Sequence, residues 1–315
     1  MTTTPQTGRL LRHILDARQF TRDWLETALF PAALEFQQTA VAGLGHPLTG
    51  KRLFYLFYEP STFTRVSFDM AATLLGATVH GIESQEEHAR AERLEDRIRV
   101  LNGYPFDFLL LRYHLEGGAS RAAAISKVPV INAGDGVGQH PTQALLDVFT
   151  LWREFGRVDG LRIALVGDLS YQRSTNSLAY MLALFRNLTI YLVSPQLLRM
   201  REEVHTHLVR SGARIEEVRD LRSVAADVDV VYLTRAHSQR LEHAQRFEGD
   251  PGTLAVDAKI LASLPADARV LHPLPRGPEL LPELDSDPRI ACFRQAANGM
   301  YVRMALLSLL AAADG

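Results

Sequence analysis

Short apolar runs alternate with stretches of helical periodicity along nearly the whole chain. In the first half, residues 53–58, 78–82, 106–111 and 128–131 have the length and β-branched or aromatic content of strands. The pattern recurs at 162–166, 189–193, 228–233, 254–256 and 270–272. Between these runs the apolar residues fall at helical spacing, as at Val66, Met70 and Leu74, or over 176–185 and 197–209. Such alternation predicts an α/β protein of two domains, each a parallel sheet flanked by helices. A helix from Pro141 to about Glu154, followed by Phe155-Gly-Arg-Val-Asp-Gly160, reads as the bridge between them. The expected domains are 1–145 and 146–295, with 296–315 packing back on the first. Met304, Leu306, Leu307, Leu309 and Leu310 make that last segment a buried closing helix rather than a membrane anchor.

With 315 residues the chain has room for two cores of ordinary size. A net charge of -2 gives no electrostatic reason to expect nucleic acid or an anionic membrane as partner. Lysine occurs only at Lys51, Lys127 and Lys259, so most of the motifs below have arginine as their only cation. The single cysteine, Cys292, excludes an internal disulfide and a cysteine-based metal site. Its apolar context predicts a buried, inert thiol. The Thr-rich and then Arg-bearing N-terminus lacks the apolar core of a signal peptide. No uninterrupted apolar run has the length of a bilayer span. The expectation is a cytoplasmic protein with no metal and no cofactor.

The first stretch with chemical content is Tyr58-Glu-Pro-Ser-Thr-Phe-Thr-Arg65, between a predicted strand and a predicted helix. A strand that turns at a proline and enters a helix through Ser61 and Thr62 presents free backbone N–H groups and the positive end of a helix dipole, which is a phosphate site. Ser61 could equally serve only as an N-cap. Further along come Asn132-Ala-Gly-Asp-Gly-Val-Gly-Gln-His-Pro-Thr-Gln143, then His272-Pro-Leu-Pro-Arg276 and Phe293-Arg-Gln-Ala-Ala-Asn-Gly-Met-Tyr-Val-Arg303.

Together these segments resemble the aspartate/ornithine transcarbamoylase family, and its aspartate branch in particular. The resemblance covers nearly the whole chain. It implies carbamoyl transfer from carbamoyl phosphate to the amine of aspartate or a related carboxylate-bearing acceptor, in a homotrimer. It places Ser61, Thr62, Phe63, Thr64, Arg112, His140 and Gln143 at carbamoyl phosphate, with Arg90 arriving from a neighbouring subunit. Arg112 and His140 would contact the carbonyl oxygen, and Gln143 the amide nitrogen. Arg173, Arg235, His237, Pro273 and Leu274 would hold the acceptor, the arginines through bidentate carboxylate pairing. Taken by themselves, Arg112 could be a strand-terminal surface charge, Arg65 a helix-surface charge and His140 a capping or core histidine. The turn at Gly167 lacks Gly-x-Gly-x-x-Gly, which argues against a dinucleotide.

The chain also departs from the family. Its phosphate loop reads Ser-Thr-Arg-Thr-Arg, and Phe63 stands here at the central arginine. Arg90 and Ser170 fall where the family has lysines, and His237 where it has a glutamine. The spacing of Phe63 from Val66 and Met70 suggests that the ring extends a buried helix stripe. A catalytically silent paralogue with an assembly role, or a transferase using another acyl phosphate, remains the alternative. The sequence does not name the acceptor.

Overall fold

The computed structural model describes residues 12–39, 43, 45–83, 92–235 and 254–313. The first domain is a parallel sheet in the order β2-β1-β3-β4, formed by Arg52–Phe57 (β1), Thr78–Glu83 (β2), Phe108–Tyr113 (β3) and Val130–Asp135 (β4). Its helices are α1 (Phe30–Gln38), α2 (Thr62–Leu74), α3 (Leu94–Leu101) and α4 (Gly118–Ala123). Helix α5 (Pro141–Phe155) then leads into the second parallel sheet, β7-β6-β5-β8-β9. Its strands are Arg162–Val166 (β5), Thr189–Val193 (β6), Arg214–Val218 (β7), Val230–Leu233 (β8) and Arg269–Leu271 (β9). Helices α6 (Arg173–Leu182), α7 (Glu202–Arg210) and α8 (Ala258–Ser263) accompany it, and α9 (Cys292–Ala313) closes the described chain.

Central strands form from continuous apolar runs because both of their faces are covered: Phe108, Leu109, Leu110 and Leu111 of β3 are all buried. Three expected strands, 106–111, 128–131 and 228–233, start two residues too early, and the first two also stop short because the carboxyl ends of β3 and β4 carry polar residues that still pair in the sheet. The expected strand at 254–256 is an isolated bridge from Val256 to Leu280. Strand β7 escaped the pattern because Arg214-Ile-Glu-Glu-Val218 is a half-exposed edge strand rich in charge.

Helix α5 is the joint between the domains. Every residue from Pro141 to Leu151 is buried, so α5 is covered on all sides rather than along one stripe. Pro141 occupies its first turn and Gly156, at φ 69°, ends it. Residues 145 and 146, the expected domain boundary, lie inside this helix. Helix α9 starts at Cys292, four residues before the expected segment, and packs against α1, α2 and α5. It is long and apolar enough to cross a membrane by length and composition. Val302, Leu306, Leu307 and Leu310 are nonetheless buried in the core that joins the domains. Cys292 is buried, and burial pushes its thiol pKa up.

Leu307 is fully buried. Truncation of such a leucine costs ~2–5 kcal/mol through lost apolar contact and the cavity left behind. Urea unfolding of Leu307→Ala should return a loss in that range; a loss below about 1 kcal/mol would mean that α9 is not docked in the core.

Candidate active site

The carboxyl ends of the two sheets open on one cleft of about 650 Å³. The turn from β1 into α2 forms one wall, with Ser61, Thr62, Phe63 and Thr64 along it. Ser61 takes the N-cap position of α2, but its side chain makes no capping bond. The hydroxyl is therefore available to a ligand beside the first-turn N–H groups and the helix dipole.

Arg112 leaves β3 at the cleft floor and donates from Nη1 to the carbonyl oxygen of Ala133 at 3.0 Å. Its Nε lies 3.7 Å from Glu59 Oε2, and Arg173 Nη1 reaches the same oxygen from the second domain at 3.2 Å. Arg173 also donates to the Gly136 carbonyl at 3.0 Å. Gly134, at φ +115°, lets these two guanidiniums converge: a Cβ there would sit 2.7 Å from Arg173 Nε and 3.1 Å from Arg112 Nη1. Burial, then the charge of Arg173, pulls the Arg112 pKa down to about 9, with Glu59 opposing. A desolvated guanidinium beside a second one gains from any anion that enters.

His140 precedes α5 and is held by its backbone N–H, which donates to Ser177 Oγ of α6 at 2.8 Å. Burial, then Arg173, Arg112 and Arg303, holds its pKa well below the usual histidine value, so the ring is neutral near neutral pH. Thr142 Oγ1 lies 3.4 Å from Nδ1. With that hydroxyl donating to Nδ1, the ring proton sits on Nε2 as a donor. Gln143, one residue further on, donates from Nε2 to Asp147 Oδ1 at 2.9 Å.

The second domain and the following loop supply the opposite wall. Arg235 lines it and donates from Nη2 to the Arg276 carbonyl at 3.4 Å, while Gln172 Nε2 donates to the Arg235 carbonyl at 3.2 Å. Pro273, Leu274 and Pro275 complete the wall. Leu274, at φ 53°, turns its N–H back to His272 Nδ1 at 2.9 Å.

One sequence expectation changes. Phe63 is 58% exposed and Val66 and Met70 are nearly half exposed, so their shared face lines the cleft mouth instead of the core. Arg65 turns away, with Nε 3.2 Å from Glu83 Oε2 and its guanidinium 5.8 Å from the Tyr55 ring centroid. Ser170, its N–H donating to Asp168 Oδ1 at 3.0 Å, lies outside the cleft lining. Arg90 and His237 lie outside the described residues.

Glu59, Asp147 and Arg303 were not singled out from sequence. Arg303 is buried on α9, lines the cleft, sits over the Phe68 ring at 5.0 Å and donates to Ser67 Oγ. Burial pulls its pKa down to about 10, with Asp147 opposing. An arginine inside an apolar helix was the available signal, since such a charge is rarely buried without a purpose. Glu59 had none, because its partner Arg173 is 114 residues away.

The neutral His140 also makes a prediction about stability. An unfolded histidine takes up a proton below about pH 6.5, whereas folded His140 does so only at lower pH. The unfolded state then binds more protons, and stability falls as pH drops through that window. Between about pH 7 and pH 5, His140→Asn should lose less melting temperature than the parent. Equal losses would mean that the folded ring protonates at the ordinary value.

Residues 12–153 match the sequence pattern of the aspartate/ornithine carbamoyltransferase carbamoyl-P binding domain, and residues 159–310 that of the Asp/Orn binding domain. The chloroplastic aspartate carbamoyltransferase of Oryza sativa subsp. japonica is 46% identical over 310 residues, covering 95% of this chain and 85% of that protein. The aspartate carbamoyltransferase catalytic subunit of Methanopyrus kandleri is 42% identical over 302 residues, covering 95% and 97%. Among solved structures, aspartate transcarbamoylase from Trypanosoma cruzi in complex with carbamoyl phosphate and aspartate superposes with a TM-score of 0.88 at 33% identity, over 97% of this chain and 99% of that one. The chain belongs to the aspartate/ornithine carbamoyltransferase family, on its aspartate branch.

Proposed function

We propose that the protein moves a carbamoyl group from carbamoyl phosphate to the amine of aspartate or of a related carboxylate-bearing acceptor. The observation that carries this reading is one cleft with Arg112, His140 and Gln143 beside the α2 N-terminus and Arg173 and Arg235 on the facing wall. The relative from Trypanosoma cruzi, solved with carbamoyl phosphate and aspartate, supports it. The amine attacks the carbonyl carbon, a C–N bond forms, and negative charge grows on the carbonyl oxygen. Arg112 and the Nε2–H of neutral His140 are the donors for that oxygen, and one such donor is worth ~3–4 kcal/mol of barrier. The C–O bond to phosphate then breaks, and the amine proton passes to the departing phosphate oxygen. Phosphate leaves from the α2 N-terminus, with Arg112 and Arg303 as nearby cations.

Phe63 puts no charge on the donor. A charge-assisted hydrogen bond is worth ~1.5–3 kcal/mol, which corresponds to about tenfold to a hundredfold in rate or affinity. Phe63→Arg should therefore raise kcat/KM for carbamoyl phosphate within that range, with aspartate as acceptor. An unchanged or lower value would remove the handicap assigned to Phe63. The same substitution bears on the second reading, a silent paralogue: parent and variant both inert with every acyl phosphate and amine would favour it.

Arg235 tests the acceptor end, because among the described residues its guanidinium donates to a backbone carbonyl, that of Arg276, and to no carboxylate. Arg235→Ala should raise KM for an anionic acceptor at least about tenfold while leaving KM for carbamoyl phosphate nearly unchanged. An unaltered acceptor KM, or a purely cationic amine as best substrate, would reject the anionic acceptor.

The reading extends to a cytoplasmic homotrimer in which Arg90 of a neighbouring subunit completes the donor end. Support for the assembly comes from the exposed apolar face of Phe63, Val66 and Met70 at the cleft mouth, which a second subunit would cover. Light scattering that returns a monomer mass for the active protein would exclude the trimer.

A further inference from the structure

One carboxylate behind the cleft decides which way the Gln143 amide points. Asp147 is fully buried on α5 and accepts from Gln143 Nε2 at 2.9 Å and from Gln295 Nε2 at 2.6 Å, both on Oδ1. Its Oδ2 accepts from the Tyr232 hydroxyl at 2.8 Å. The orientation of the Gln295 amide is not free. Gln295 Oε1 accepts from the backbone N–H of His272 at 2.9 Å, and a backbone N–H can only donate. Gln295 must therefore present its NH2 to Asp147, so Oδ1 is an acceptor. Gln143 meets the same Oδ1 and must also present its NH2. This holds whether or not Asp147 carries a proton, because any proton belongs on Oδ2 facing Tyr232. With its nitrogen held at Asp147, Gln143, which lines the cleft, has its oxygen Oε1, an acceptor only, on the side away from that carboxylate.

We propose that Asp147 and Gln295 are positioning residues that fix Gln143 as a hydrogen-bond acceptor and so select an acyl phosphate whose acyl group bears N–H. This rests on the transferase reading above. A carbamoyl group offers NH2 to Gln143 Oε1. An acetyl group of nearly the same shape offers a methyl, which leaves a buried carbonyl oxygen unpaired and is rejected for that reason. The chain of bonds begins at His272, next to the Pro273–Pro275 wall, so the loop on the acceptor side also sets the donor preference.

The test compares kcat/KM for carbamoyl phosphate and acetyl phosphate, with aspartate as acceptor, alongside direct binding of each donor by calorimetry. The parent should prefer carbamoyl phosphate. Asp147→Asn keeps an acceptor oxygen at the Oδ1 position and turns its NH2 to the Tyr232 oxygen, so it should hold that preference within about threefold. Asp147→Leu frees the Gln143 amide to rotate and should lower the preference about tenfold or more. The change should fall on KM for carbamoyl phosphate, with kcat for acetyl phosphate little altered. Gln295→Met removes the anchor from the other end and should lower the preference in the same direction, which decides the matter if Asp147→Leu does not fold. A folded Asp147→Leu or Gln295→Met protein with the parent's preference overturns the proposal while leaving the transferase intact. So does an Asp147→Asn protein as impaired as Asp147→Leu, or a parent that uses both donors equally. A parent that binds neither donor overturns the transferase reading and this inference with it.

Discussion

The buried carboxylate of Asp147 is the contact on which the geometry of the cleft depends. It gathers donors from α5, β8 and α9 at the point where the two sheets meet. Burial raises its pKa to about 7, while Gln295, Tyr232 and Gln143 pull the other way. Satisfying a buried carboxyl group of this kind contributes little net stability, but leaving its donors unpaired is costly. The arrangement thus resists small rotations of α5, which carries Gln143 and has His140 at its N-cap position. Burial of every residue from Pro141 to Leu151 adds the second restraint, since no face of that part of the helix is free to slide.

Positive charge dominates the cleft. Burial, then the charges of Arg173, Arg112 and Arg303, keeps the His140 ring neutral, while Glu59 is the carboxylate that Arg112 and Arg173 approach from the two domains. A protonated His140 would add one more charge to an already unbalanced group. A neutral ring can still donate from Nε2, and an incoming dianion restores the balance. The same electrostatics therefore explain both the protonation state of the histidine and the preference for anionic ligands at each end of the cleft.

Phe63 stands apart from this pattern. Its ring lies at the cleft mouth, continuous with the exposed face of Val66 and Met70, and a phenyl face repels anionic oxygens. Arg65 does not replace the missing guanidinium, because it is engaged by Glu83 and Tyr55. Besides Arg112, a cation that lines the cleft beside α2 is Arg303, delivered by the closing helix and bonded to Ser67. The loop has lost a charge that the family pattern supplies locally, while a charge from distant sequence lies close to the same wall.

Central strands, the bridging helix and the closing helix were legible in the sequence because burial on both faces demands continuous apolar runs. The motif strings likewise carried the family and the residues that line the cleft. Edge strand β7 was illegible because a strand exposed along one side can be written in charged residues. Periodicity also placed Phe63, Val66 and Met70 on one face of α2 without saying what covers that face, and the ring emerged on the open side. Glu59 with Arg173, Asp147 with Gln295 and Tyr232, and Arg303 with Ser67 are separated by 85 to 236 residues. Sequence alone fixed which chemical groups were available and which local element each would ride on. Only the packing of two sheets about one buried helix decided which groups meet, because contact between distant residues depends on the relative placement of whole elements and leaves no periodic trace in the chain.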